Sequence, residues 1–200
     1  MIILEKRVVR NKYAQLRKRI RNIQKNFEFD QSSSGPTLQQ SDQIRGMIRL
    51  CHAEFEAYIE GLALLLLEDG FEKWSRTKKA NYNISMLFLR SEKIYKKDSF
   101  ITQAFQVKNA YTDLIRKNNG IKEENIVKIF DVIGYSINDF DTGFISDLNS
   151  FGHDRGAVAH TSATAKSISV LYDLPTEQQR IGRILDGIRD FQNVLLEKVN

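Results

Sequence analysis

The sequence predicts an all-α protein: an up-and-down helical bundle with short helical insertions and an N-terminal helix. Three observations predict it. Apolar residues recur at three- and four-residue steps along most of the chain, as in helices with one buried face. Only two prolines, Pro36 and Pro175, interrupt 200 residues, and proline is the residue that breaks helix interiors. Turn-forming clusters such as Asp69-Gly70 and Asn118-Asn119-Gly120 fall between the periodic stretches, where helices end.

The elements follow in order. Val8, Val9, Tyr13, Leu16, Ile20, Ile23 and Phe27 predict a first helix over 3–27. A serine-rich polar loop, 30–36, separates it from a longer helix over 38–67, whose stripe is Ile44, Met47, Ile48, Cys51, Phe55, Tyr58, Ile59, Leu62 and Leu66. Asp69-Gly70 reads as its end or a sharp bend. Short helices are expected over 71–79 and 82–93, a better one over 100–117, and another short one over 121–132. Asn138 to Thr142 supplies N-cap chemistry for a helix over 142–160. Residues 166–174 alternate like a strand at Ile168, Val170 and Tyr172 but have no evident partner. Pro175, tolerated in a first turn, opens a last helix. Ile181, Ile184, Leu185, Ile188, Phe191, Val194 and Leu195 form its buried face. The expected division is a basic N-terminal helix, 1–30, and a helical domain, 38–200.

Composition narrows the function. The densest apolar run, Leu62 to Leu67, is bracketed by Glu60 and Glu68 and is far shorter than the ~20 residues a spanning helix needs. The N-terminus lacks the order of a signal peptide, and a lone cysteine, Cys51, forms no internal disulfide. A soluble, cytoplasmic protein with no membrane association is expected. The net charge is +5, yet residues 1–30 carry nine basic side chains against three acidic ones. Arg17, Lys18, Arg19 and Arg21 on the first helix are therefore candidate contacts to the phosphates of RNA; the alternative is an ordinary solvated helix face.

The three histidines, His52, His153 and His160, bound the chemistry. No Cys-x-x-Cys, His-Glu-x-x-His or glycine-rich phosphate loop is present, and His153 and His160 stand about 10 Å apart along a helix. A metal site and a cofactor are not expected. Arg155 and His160 pair a permanently charged, planar fork suited to phosphate with a proton carrier near neutral pH. Together they suit cleavage of RNA through its own 2′-hydroxyl, which needs a base, an acid and positive charge at the phosphorus. One histidine is too few for acid and base. A two-fold homodimer that brings two copies of this helix together supplies both, and Gly156, lying between His153 and His160 on the helix face, allows close approach. The alternatives are a surface arginine, a helix-terminal histidine favoured by the dipole, and a kink at Gly156.

The segment Phe144-Ile-Ser-Asp-Leu-Asn-Ser-Phe-Gly-His-Asp-Arg-Gly-Ala-Val-Ala-His160 resembles the signature of the HEPN superfamily, in which an Arg and a His with four to six residues between them sit in a late helix. His52-Ala-Glu-Phe-Glu-Ala-Tyr-Ile-Glu-Gly-Leu62 is similar to the second-helix pattern of its RiboL-PSP-HEPN bacterial branch. The resemblance implies a dimeric bundle of about four helices. It further implies a metal-independent endoribonuclease whose composite site lies in the dimer cleft, acting as a toxin or effector in toxin–antitoxin or antiviral defence, with an antitoxin or defence-system partner. Arg155 and His160 match the motif, and Glu56 matches the acidic position. His52 and Glu56, one turn apart, form a polar ridge expected near the cleft, which Glu60 extends as a solvated residue; His153 is a candidate substrate contact. Gly156 stands where the family frequently carries a polar residue, commonly Asn. That departure supports the alternative of a non-catalytic module that binds RNA or a protein.

Overall fold

The computed structural model describes residues 6–29, 35–91, 99–160 and 173–198, with no side-chain description for 100 or 155–160. Seven α-helices are defined: α1 (Lys6–Asn26), α2 (Leu38–Thr77), α3 (Tyr82–Arg90), α4 (Phe100–Arg116), α5 (Glu123–Phe130), α6 (Thr142–His160) and α7 (Leu174–Glu197). Tight 3-10 turns at Asp131–Ile133 and Ile137–Asp139 join α5 to α6. No strand is present among the described residues, so the all-α expectation holds. The strand-like alternation at 166–172 lies outside them.

The spine is α2. A capping box starts it: Thr37 Oγ1 accepts from the Gln40 amide at 3.2 Å and the Thr37 amide donates to Gln40 Oε1 at 2.8 Å. The helix then runs for 40 residues, about 60 Å. It does not stop at Asp69-Gly70, and the segment from Phe71 to Thr77, expected as a separate helix, forms its last two turns. It ends at Lys78, which adopts the left-handed conformation at φ 60° while its amide bonds to Trp74 O. Gly70 serves packing instead. A Cβ there would stand 2.6 Å from Ile84 Cγ1, so the missing side chain lets α3 cross α2. Asp69, fully buried, is paired with Lys73 Nζ at 2.9 Å.

The remaining helices close around this spine. From α1, Val9, Leu16, Ile20 and Ile23 enter the same core as the stripe of α2, and the Tyr13 hydroxyl donates to Leu185 O of α7 at 2.9 Å. Tyrosines staple other junctions. Tyr58 of α2 donates to Gln192 Oε1 at 2.5 Å, Tyr135 to Leu195 O at 2.6 Å and Tyr111 of α4 to Ile129 O at 3.1 Å. Each satisfies a hydroxyl that would be costly to bury alone.

Helices α6 and α7 lie antiparallel in a register legible from their contacts. Asp141 caps α6 by accepting from the Phe144 amide at 2.7 Å. The Phe144 ring then occupies the space left by Gly187 and packs on Phe191, centroids 5.8 Å apart. One turn on, Asp147 accepts two bonds from Arg183, each 2.9 Å. A further turn brings Ser150 and Asp154 to Arg180. Phe191 also packs against Phe140, tilted at 4.5 Å, and edge-on against Phe130 at 5.1 Å, anchoring the start of α6 in an aromatic cluster. Such pairs add roughly 0.5–1.5 kcal/mol each beyond area burial.

This packing makes two glycines behave oppositely. A Cβ on Gly187 would lie 2.2 Å from Phe144 Cδ2, whereas one on Gly61 meets nothing within 4 Å. Urea denaturation should show Gly187→Ala destabilised by about 1–3 kcal/mol, the usual cost of overpacking. Gly61→Ala should be neutral or stabilised by up to ~1 kcal/mol. Equal effects would contradict the described α6–α7 contact.

Candidate functional site

The Arg155–His160 segment occupies the last turns of α6, which is helical through His160. The side chains of 155–160, and hence of Arg155, Gly156 and His160, lie outside the described residues. What the structure establishes is the frame that presents them. Immediately before Arg155, the face of α6 formed by Ser150, Phe151 and Asp154 is held from two directions.

From α2, His52 stacks on Phe151 with centroids 6.3 Å apart and planes 11° from parallel. His52 is buried, and its Nδ1 lies 3.7 Å from Glu56 Oε2. His52 and Glu56 are thus neighbours on α2, with the histidine facing the bundle interior against α6. Glu60, expected to be solvated, instead accepts from Asn118 Nδ2 at 2.9 Å. Asn118 also donates to Gly120 O at 2.8 Å and accepts from Asn125 at 3.1 Å. This face of α2 therefore meets α6 through His52 at one end and the α4–α5 turn through Glu60 at the other. His153 is exposed on α6, open to a ligand or a second chain.

From α7, Arg180 reaches across. Its Nη1 donates to Asp154 Oδ2 at 2.6 Å and Ser150 Oγ at 3.0 Å, and its Nη2 donates to Glu177 Oε2 at 2.5 Å. The guanidinium lies 4.9 Å from the centroid of Phe151, a cation–π distance. Sequence reading passed over this residue. The signal was present: Glu177 and Arg180 fall on the stripe that continues through Ile181, Ile184 and Ile188, and charges on an apolar stripe are there for a partner. The start of α7 is itself capped by Asp173, which accepts from the Thr176 amide at 3.0 Å. The Thr176 hydroxyl, which donates to Asp173 Oδ2 at 2.7 Å, and this amide hold the Asp173 carboxyl below its usual range.

The basic candidates lie elsewhere. Arg17, Lys18, Arg19 and Arg21 are all exposed on α1, and Arg19 Nε is 2.9 Å from Glu54 Oε1. With Lys12, Gln15, Ala57 and Tyr58, that pair lines a shallow cavity of about 260 Å³ between α1 and α2. Cys51 is buried, and burial pushes its thiol up to about 12, which keeps it protonated and unreactive. Among the described residues, no three His, Cys, Asp or Glu side chains are grouped to hold a metal ion, and no helix is long and apolar enough to cross a membrane.

A family model described as RiboL-PSP-HEPN matches residues 14–193. No curated protein and no solved structure matches the chain. The match begins within α1 and ends within α7, so it takes in both helices that clasp α6.

Burial makes one carboxylate of this frame pH-sensitive. It raises the Glu177 carboxyl above 4.5, outweighing the lowering by Arg180. The folded state then holds the proton to higher pH than the unfolded chain, so Glu177's contribution to stability falls as pH rises from 4.5 through the folded value. Thermal melts between pH 4 and 7 should show this decline, and Glu177→Gln should flatten it. An unchanged profile in the variant would assign the dependence to other groups.

Proposed function

The chain belongs to the RiboL-PSP-HEPN family, whose HEPN domains typically cleave or bind RNA and often dimerise, and from that premise we propose that it is a metal-independent endoribonuclease acting as a homodimer. The observation that carries the reading is the position of Arg155 and His160. They form the Arg-x4-His pattern on the last turns of a helix in a chain matched by the family model over residues 14–193.

The chemistry follows from the residue types. A histidine accepts the proton of the ribose 2′-hydroxyl, and the 2′-oxygen forms a bond to phosphorus. The phosphorus–O5′ bond breaks, and a second, protonated histidine gives its proton to the leaving oxygen. The products are a 2′,3′-cyclic phosphate and a 5′-hydroxyl. Arg155 neutralises the charge that builds on the phosphoryl oxygens in the transition state. Two copies of His160, one from each α6, provide the acid and the base, which is why a dimer belongs to the proposal. The exposed cations of α1 attract the RNA backbone without reading sequence. The biological setting this chemistry fits is a cytoplasmic toxin or defence effector held in check by a partner.

A second reading is a module that binds RNA without cutting it. The exposed basic face of α1 favours it, since that face serves binding whether or not cleavage follows, and Gly156 in the motif points the same way.

Expression in bacteria and incubation with total RNA separate the two. Arg155→Ala and His160→Ala should each reduce cleavage at least about 100-fold, the scale of losing an acid–base or charge-stabilising group. Both variants should remain helical and dimeric by circular dichroism and sedimentation, and wild-type activity should persist in EDTA. Cleavage that survives in both variants, or that requires a divalent ion, would remove the nuclease reading. RNA binding without any cleavage by the wild type would establish the module. Replacing Arg17, Lys18 and Arg21 together by Gln should weaken RNA binding and flatten its salt dependence by up to about three units of slope. An unchanged slope would place the RNA on another surface.

A further inference from the structure

Among the described residues Arg180 is the sole buried cation, 8% exposed. Its bonding is lopsided in a way that adhesion between helices does not require. Two of its partners, Asp154 and Ser150, are on α6, with Glu177 one turn back on α7. The ring beneath it, Phe151, is also on α6. Positions 150, 151 and 154 form a single face of the turn that precedes Arg155. Apolar packing, with Phe144 on Phe191 and in the space beside Gly187, already holds the two helices together. A buried ion pair adds little to such adhesion, because desolvation offsets its attraction and apolar side chains of the same volume do as well or better.

What a guanidinium supplies that a leucine does not is direction. Its planar fork bonds at fixed angles, and bonding two positions of one helix face sets that helix's rotation about its own axis. Arg155 follows Asp154 by about 100° and His160 by well under two turns, too short a span for the helix to lose that rotation. A turn of about 20° moves a group on the helix surface, about 6 Å from the axis, by about 2 Å. A misplacement of ~1 Å can cost ~100-fold in rate.

We propose that Arg180, through Asp154 and Ser150, is a positioning residue for the RNA-cleaving site on residues 155–160: it sets the rotation at which α6 presents Arg155 and His160. The inference rests on the nuclease reading above. It assigns Arg180 no contact with RNA, since the side chain is buried and both of its Nη groups bond within the fold, to α6 and to Glu177.

The test is Arg180→Lys, which keeps the charge and the buried stem but loses the planar fork. The variant should fold with wild-type helicity, keep KM for an RNA substrate within twofold, and lose at least tenfold in kcat. Asp154→Asn, at a partly exposed position, should lose kcat in the same direction and serves if the lysine variant fails to fold. A smaller drop in kcat, or a change confined to KM, overturns the proposal and leaves Arg180 a structural clasp. Should the wild type not cleave RNA at all, the nuclease reading falls and amide hydrogen exchange decides the positioning claim alone. Faster exchange over 155–160 in Arg180→Lys, with 144–150 unchanged, supports it, and unchanged exchange throughout overturns it.

Discussion

The constraint on which the rest of this molecule depends is the antiparallel clasp between α6 and α7. Its contacts step along both helices in opposite directions: Phe144 in the space beside Gly187, Asp147 on Arg183, then Ser150 and Asp154 on Arg180. The three rungs differ in kind. The first is steric and intolerant, because a Cβ on Gly187 would overlap the Phe144 ring. The second is an exposed bidentate pair, and exposed pairs contribute about 0–1 kcal/mol. The third is charged and partly buried, with Arg180 inside and Asp154 partly exposed, and breaking one partner of a buried pair costs more than the pair contributes when intact. The rung most sensitive to the loss of one partner is therefore the one nearest the end of α6 that carries the candidate site.

The opposite wall of that end is α2. His52 lies against the same Phe151 ring that Arg180 contacts, so one aromatic side chain couples the spine helix, α6 and α7. Glu60, two turns further along α2, bonds Asn118. A helix of 40 residues can serve both contacts because it is a single rigid element. Had it broken at Gly70, the crossing of α3 would have been free to drift. The mostly polar outer face of α1 and the clasped end of α6 are distinct surfaces of one bundle, which fits a division between attracting a polyanion and acting on it.

Much of the fold was legible because its helices carry strong three-and-four periodicity and recognisable caps. The 142–160 helix was read with its bounds as they stand, since Asp141 caps it by ordinary chemistry. Asp69-Gly70 misled because the same dipeptide that ends helices also permits close crossing, and only the position of Ile84 distinguishes the two. Glu60 was read as solvated because its partner, Asn118, is 58 residues away, a distance no periodicity reports. The motif residues Arg155 and His160 were visible by chemistry and resemblance. Arg180 was not, because its importance lies in what it grips, although a charged pair on the apolar stripe of α7 is an anomaly that sequence alone displays.

In the proposed function, α6 presents an Arg–His pair that cleaves RNA through the RNA's own 2′-hydroxyl. The most direct measurement is the chemistry of the ends produced from a defined oligoribonucleotide, read by mass spectrometry for the wild type and His160→Ala. Cleavage through the 2′-hydroxyl predicts 2′,3′-cyclic phosphate and 5′-hydroxyl termini that disappear in the variant. It also predicts that a substrate with 2′-deoxy sugars at every position is not cut. Termini bearing 5′-phosphate and 3′-hydroxyl groups, or cleavage of the deoxy substrate, would contradict it.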